Sequence, residues 1–255
     1  MIARSLEYRI DLVTALLSKE LRVRYKRTVL GYAWSLLNPL AMACIYFVLV
    51  TKIFAVSIDK YPLVLVAGLF PWQWIANSVL ASSMIFVGNA GLIRRTSFPR
   101  AVLVLSASLN DMIHFLASVP VIIGVMLWHG VYPDARWLLF FPVLLLIQWA
   151  IVVGIGFVLA SCNVFLRDLE RLVAIGVTIW FYLTPVIYTR DMLGRHSDLL
   201  KLNPVTGVVL AWRSLFMGAP IDLAMLGWSV LWAIVILPCG YFLYRKMQWR
   251  FAELV

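Results

Sequence analysis

Apolar runs of membrane-crossing length alternate with short polar stretches along most of the chain. A helix needs roughly 20 mostly apolar residues to cross the hydrocarbon of a bilayer. Six segments meet that length, near 33–57, 62–87, 101–127, 137–162, 171–189 and 221–244. Ahead of the first, residues 5–21 place Leu6, Ile10, Val13, Leu17 and Leu21 on one helical face, with Glu7, Arg9, Asp11 and Lys19 off it. That segment is too polar to span. It is predicted to be an amphipathic helix lying along the membrane surface, a position compatible with packing on its own bundle. Between the fifth and sixth runs, residues 190–220 carry a shorter stripe of Val208, Val209, Trp212, Leu215 and Phe216. The stripe predicts a re-entrant or interfacial helix, shielded by protein or lining a wet cavity. Leu202, Asn203 and Pro204 form its opening turn, since proline suits a first helical turn and restricts the residue before it. The fold class is an all-α integral membrane protein: six transmembrane helices, an N-terminal interface helix, and re-entrant outer helices between spans five and six. One domain fills 1–255, divided into an interface helix and basic turn (1–31), a six-span bundle (33–244) and a tail (245–255).

Composition agrees. The chain is 63% hydrophobic and 13% charged, against about 25% charged in a soluble domain. The net charge of +10 raises nucleic acid as a partner, but the positive charge sits in short segments beside apolar spans, the pattern of membrane topology. On the proposed inside face lie 15 Lys and Arg, and on the outside 7, which places both termini in the cytoplasm. Arg22, Arg24, Lys26 and Arg27 stand immediately before the first span, at the depth of anionic head groups. Cys44, Cys162 and Cys239 each lie in an apolar run and read as buried thiols, with no disulfide framework and no metal spacing. The charged N-terminus does not read as a cleavable signal.

Catalytic patterns are sparse. There is no GxxxxGK followed by Ser or Thr, so this chain does not bind ATP in that way, and there is no HExxH, GxSxG or CxxC. Asp111 and His114, three apart in the third span, share a helix face. Ionisable groups inside a membrane are functional candidates, yet no third group completes a proton relay. A buried hydrogen-bonded pair is the favoured reading.

Other stretches suggest recognition. In GNAGLIRRTSFPR, Arg94, Arg95 and Arg100 surround Phe98 and Pro99, which suits docking into a partner's groove; a loop that only sets topology has the same charge. In NVFLRDLERL, Arg167 and Asp168 suit an ion pair or helix-end hydrogen bonding. Trp128 and Trp137 fit an interfacial belt. Trp180, Phe181 and Tyr182 lie mid-span, where a belt does not explain them. They suit either core packing or a channel wall for a sugar polymer, as does Tyr188 nearby. Gly154, Gly156 and Ala160 offer small surfaces for close helix approach.

These motifs occur together elsewhere. RYKRTVLGYAWSLLNP, YPLVLVAGLFPWQW, GNAGLIRRTSFPR, NVFLRD, WFYLTPVIY and KLNPVT resemble, in order and spacing over nearly the whole chain, the polysaccharide-exporting permeases of the ABC-2 type. The resemblance implies a homodimer with two separate cytoplasmic ATPase subunits. ATP and Mg would then belong to the partner and no cofactor to this chain. It implies a substrate polymer on undecaprenyl pyrophosphate, with Arg24, Lys26 and Arg27 at the pyrophosphate and a Leu30–Gly31 turn, followed by Tyr32, at the mouth. It implies that 94–100 couples to the ATPase, and that 190–220 forms an outer gate including Asn203, Pro204, Trp212 and Phe216. O-antigen is the expected cargo in a bacterial inner membrane, with teichoic acid or capsule as alternatives. A small-molecule ABC-2 exporter is a rival. So is a membrane enzyme on a lipid-linked substrate, for which only Asp111 and His114 offer chemistry.

Overall fold

A computed structural model describes residues 11–18, 31–55, 58–96 and 98–251. Residues 11–18 form α1. Then follow α2 (Trp34–Val48), continued by a π-helical turn over Leu49–Ile53, α3 (Tyr61–Gly88), the short α4 (Ala90–Arg95), α5 (Ala101–Trp128) and α6 (Arg136–Phe165). The chain ends with α7 (Leu169–Leu183), a 3-10 segment Arg190–Leu202, α8 (Thr206–Phe216) and α9 (Leu223–Met247), which runs into a 3-10 turn Gln248–Arg250. The described residues contain no strand. Five helices are long and apolar enough to cross a membrane: Trp34–Ile53, Tyr61–Gly88, Ala101–Trp128, Arg136–Phe165 and Leu223–Arg250. Each matches a predicted run within about three residues at either end, except that the first ends at Ile53 and not at residue 57, and the last continues to Arg250, past the predicted 244.

The fifth predicted run behaves differently. α7 has 15 residues and rises roughly 22 Å, less than the roughly 30 Å hydrocarbon. Pro185 disfavours helical geometry at the residue before it, and Thr184 is accordingly extended (φ −103°, ψ 134°). The apolar run continues through Val186, Ile187 and Tyr188, so hydropathy alone hides the break.

α3 is the centre of the bundle, buried along most of its length and in contact with α2, α5, α6, α7 and α8. The most extensive helix pair is α6 with α9. A Cβ on Gly240 would lie 2.2 Å from the Gly154 carbonyl oxygen, so only glycines permit this approach. Gly156 lies against Ser82 and Val104, and Ala160 is fully buried. The expected small-residue packing is present.

Ring contacts fix the direction of the helices. Phe157 of α6 meets Tyr244 of α9 at 5.1 Å, and further along Phe165 meets Phe251 at 6.5 Å. At the opposite end the Arg136 guanidinium donates to the carbonyls of Gly218 and Ala219, shortly before α9 begins. α6 and α9 therefore run parallel, and the chain returns between them. α7 and the stretch 184–188 make that return: Trp180 meets Trp72 of α3 at 5.7 Å, and the Ile187 carbonyl accepts the hydroxyl of Tyr61, the first residue of α3. Below, the end bearing Arg94, Arg100, Phe165 and Phe251 is called the basic end, and the end bearing Tyr61 and Arg136 the far end.

α1 packs on the basic end through Leu16, with Leu12 and Val13 beside it. The contact face is thus rotated about one residue from the predicted stripe; residues 5–10 and 19–21 lie outside the described set. Two further expectations change. Cys44 and Cys239 are exposed and Cys162 half-buried, because their apolar runs turn those positions outward. Asp168 is the N-cap residue of α7, but its side chain caps no amide.

Candidate functional site

The break after α7 builds a cleft at the far end. Trp180 donates its indole N–H to Asn203 Oδ1 at 2.8 Å, and Asn203 Nδ2 donates to the Thr184 hydroxyl at 2.9 Å. Asn203 Oδ1 also accepts from the Val205 amide at 3.2 Å. One side chain thereby ties the end of α7 to the start of α8. The 3-10 segment, turned at Gly194 (φ 50°), folds back opposite α7. Between them lies a cavity of about 670 Å³, with Trp180, Tyr182 and Tyr188 on one wall and Leu199, Leu202, Asn203 and Pro204 among its other linings. Aromatic faces with a few polar atoms at the edges suit apolar contact to a ring or chain, oriented by hydrogen bonds.

Two more polar side chains brace this end. Arg213 of α8 is buried and donates to the carbonyls of Pro185, Val186 and Tyr188. Gln148 of α6, fully buried, donates to the Pro71 carbonyl at 3.0 Å and accepts the Trp212 indole N–H at 2.9 Å. Both tie α8 into the bundle.

At the basic end a second cleft, of about 520 Å³, is lined by Arg94, Arg95, Phe98 and Arg100 together with Gln248 and Trp249. Arg100 donates to the Gln248 carbonyl and stands 5.9 Å over the Phe251 ring. Phe251 is itself buried and meets Phe86 at 4.9 Å. The loop after α4 and the end of α9 form one surface, exposed at Arg94, Arg95 and Trp249. Pro99 lies between Phe98 and Arg100 and is half-buried.

The predicted residues divide clearly. Trp180, Tyr182, Tyr188, Asn203 and Pro204 come together in the far cleft. Phe181 packs instead against Tyr46 at 5.7 Å and Trp72 at 5.6 Å. Trp212 and Phe216 are fully buried, stacked on each other and packed against Phe141 and Trp137. The stripe of α8 faces the core, not the cleft. Asp111 and His114 are buried, and Asp111 accepts the Ser78 hydroxyl at 2.9 Å, a helix-to-helix tie. Arg24, Lys26, Arg27 and Leu30 lie outside the described residues. Gly31 adopts φ +48°, the left-handed region that favours glycine, and Tyr32 follows in a short 3-10 turn. Among the described residues no cluster of His, Cys, Asp or Glu is able to hold a metal ion.

The family description "ABC-2 type transporter" matches residues 11–217. The chain belongs to this family. Among relatives of the ABC-2 chain is an "O-antigen export system permease protein RfbA" of Klebsiella pneumoniae, 37% identical over 98% of this chain and 97% of its own. Another of that name and organism is 36% identical over the same shares. One from Myxococcus xanthus is 30% identical over 82% of this chain and 81% of its own.

Reading the sequence missed Arg213 and Gln148 as site-building residues. Both leave a signal. Val209, Trp212, Arg213 and Phe216 fall at i, i+3, i+4 and i+7, so the arginine stands inside the apolar stripe of α8. Gln148 is the one polar residue of LLLIQWAIVV.

Proposed function

We propose that this chain is the membrane subunit of an ATP-driven exporter that moves undecaprenyl-pyrophosphate-linked O-antigen polysaccharide across the bacterial inner membrane. The observation that carries the reading is 37% identity, over nearly the full length of both chains, to a protein named as an O-antigen export permease. The lack of a phosphate-binding loop agrees with ATP and Mg residing on a separate subunit. In this reading α7 with 184–188 is the fifth of six crossings, and α8 is a re-entrant helix. Six crossings put both termini on one side, the cytoplasm, as the Lys and Arg bias requires.

A homodimer encloses the transport route, with two ATPase subunits docking on the basic end at Arg94, Arg95, Phe98, Pro99 and Arg100. α2 supports the pairing: it is apolar yet little buried within one copy. The pyrophosphate is taken up beside Arg24, Lys26 and Arg27, because a multiply charged anion at the interface needs basic neighbours. The sugar chain then passes the aromatic wall of Trp180, Tyr182 and Tyr188, where ring faces meet sugar C–H faces. The test is surface polymer in cells expressing the chain with its ATPase, comparing wild type with Arg24→Ala plus Arg27→Ala. Loss of surface polymer with lipid-linked polymer accumulating inside, in an assembled complex, is the expected result. Export that survives deletion of the chain refutes the reading and favours a small-molecule exporter.

A further inference from the structure

The stretch 184–188 is non-helical backbone among buried neighbours: Thr184, Pro185 and Val186 are all buried. Carbonyls outside a helix need partners where water is excluded. Arg213 supplies most of them. Its Nη2 donates to the Pro185 carbonyl and, at 2.7 Å, to that of Val186, and its Nη1 to that of Tyr188 at 2.9 Å. The Tyr61 hydroxyl takes the Ile187 carbonyl at 2.9 Å. Gly68 of α3 makes room for this seat: a Cβ there would lie 2.9 Å from the Val186 oxygen and 3.4 Å from Arg213 Nη2.

The far-end ion pairs among the described residues are Asp134–Arg136, Arg190–Asp222 and Asp198–Lys201, and Arg213 joins none of them. A guanidinium this deep is costly without compensation, and its five donors in a rigid planar fork span several separated carbonyls that the compact ammonium of a lysine serves less well. A neutral side chain would hold α8 in the core at lower cost, so the carbonyls are the reason for the charge.

We propose that Arg213 is the positioning residue of the broken span: it latches 184–188 against α3 and α8 while that stretch is dry, and so fixes Tyr188 in the wall of the far cleft. The carbonyls can leave the guanidinium only where water replaces it, which makes hydration of the cleft and release of the latch one event. The proposal rests on the export reading only in placing the cleft on the transport route.

The test uses the full chain with its ATPase in proteoliposomes. Cys44, Cys162 and Cys239 are replaced by alanine, and Val186, fully buried, by cysteine as a reporter for a hydrophilic maleimide. Arg213→Met and Gly68→Ala each raise the labelling rate at least about tenfold, the fold-change expected from losing one charge-assisted hydrogen bond. Arg213→Lys, which keeps the charge but not the fork, gives a smaller rise. Unchanged labelling in folded Arg213→Met and Gly68→Ala overturns the latch. Where Arg213→Met does not assemble, Gly68→Ala, which leaves every charge in place, decides by the same readout. Polymer export by the wild type, measured in parallel, tests the transport reading separately.

Discussion

Replacing Gly240 by alanine strikes the contact that joins α6 to α9. The added Cβ would lie 2.2 Å from the Gly154 carbonyl oxygen and 3.0 Å from its carbonyl carbon, where ordinary contact begins at 3.4 Å. Both obstacles are backbone, so no rotamer change relieves them and the helices must part by about 1 Å. A gap of that size forfeits about a quarter to a half of the dispersion well for each facing atom pair. Overpacking costs about 1–3 kcal/mol where side chains can yield; here they cannot, which puts Gly240→Ala at about 3 kcal/mol or above. In a chain of this size that corresponds to a fall of roughly 6–12 °C in Tm. Gly227 in the same helix is the control, with nothing within 4 Å of an added Cβ. Alanine there gains helix propensity of up to about 1 kcal/mol. The assay is the monodisperse fraction of detergent-solubilised protein after heating. If Gly240→Ala melts within about 2 °C of Gly227→Ala, the inferred contact between the two helices is wrong.

Gln148→Leu strips a partner from the Trp212 indole and the Pro71 carbonyl, and is expected to cost about 1–3 kcal/mol in the same melt. Arg100→Ala frees the Gln248 carbonyl and the Phe251 ring; polymer-stimulated ATPase turnover is expected to fall while the amount of membrane-inserted chain holds. Asn203→Ala unties Trp180 and Thr184 and is expected to reduce export more than it reduces assembly, measured as surface polymer per assembled complex. The Arg136 guanidinium, hydrogen-bonded to Asp134 at 2.7 Å, holds that carboxyl below the usual carboxylate range. Whatever stability this depressed group adds is present above its unfolded pKa and lost as pH falls through the folded one. Asp134→Asn is therefore expected to leave the Tm pH profile between neutral and mildly acidic conditions unchanged, and to alter it only in strong acid.

The five helices long and apolar enough to cross a membrane were legible because each is a long apolar run, and length against bilayer thickness needs no tertiary knowledge. The end of α7 was not, since Thr184 and Pro185 interrupt the backbone without interrupting the hydropathy. Of the site, Trp180, Tyr182, Tyr188, Asn203 and Pro204 could be picked out as aromatics and a turn. Their meeting in one cleft depends on the 3-10 segment folding back, which periodicity does not encode. Trp212 and Phe216 were expected at the gate because the family resemblance makes 190–220 an outer gate, which says nothing of where each side chain of the segment faces. α8 is enclosed by α3, α6 and α9, so its apolar face has core on the other side. Arg213 and Gln148 escaped notice because a lone polar residue in an apolar run gains its meaning only from the carbonyls and indole that later prove to surround it.

The position of α3 bears on how the protein is made. Its most apolar 18-residue stretch has the lowest mean hydropathy among those of the five long helices, and the greatest share of buried residues. Ser78 finds Asp111 on α5, and Ser82 lies against Gly156 of α6; both helices are synthesised later. When α3 is first inserted, neither serine yet has the neighbour from α5 or α6 that it meets in the finished bundle. Its place in the bilayer is therefore provisional until α5 and α6 arrive, and the centre of the bundle is among the last parts to be settled. Damage to α5 or α6 is accordingly expected to surface first as misinsertion of a helix that carries no mutation.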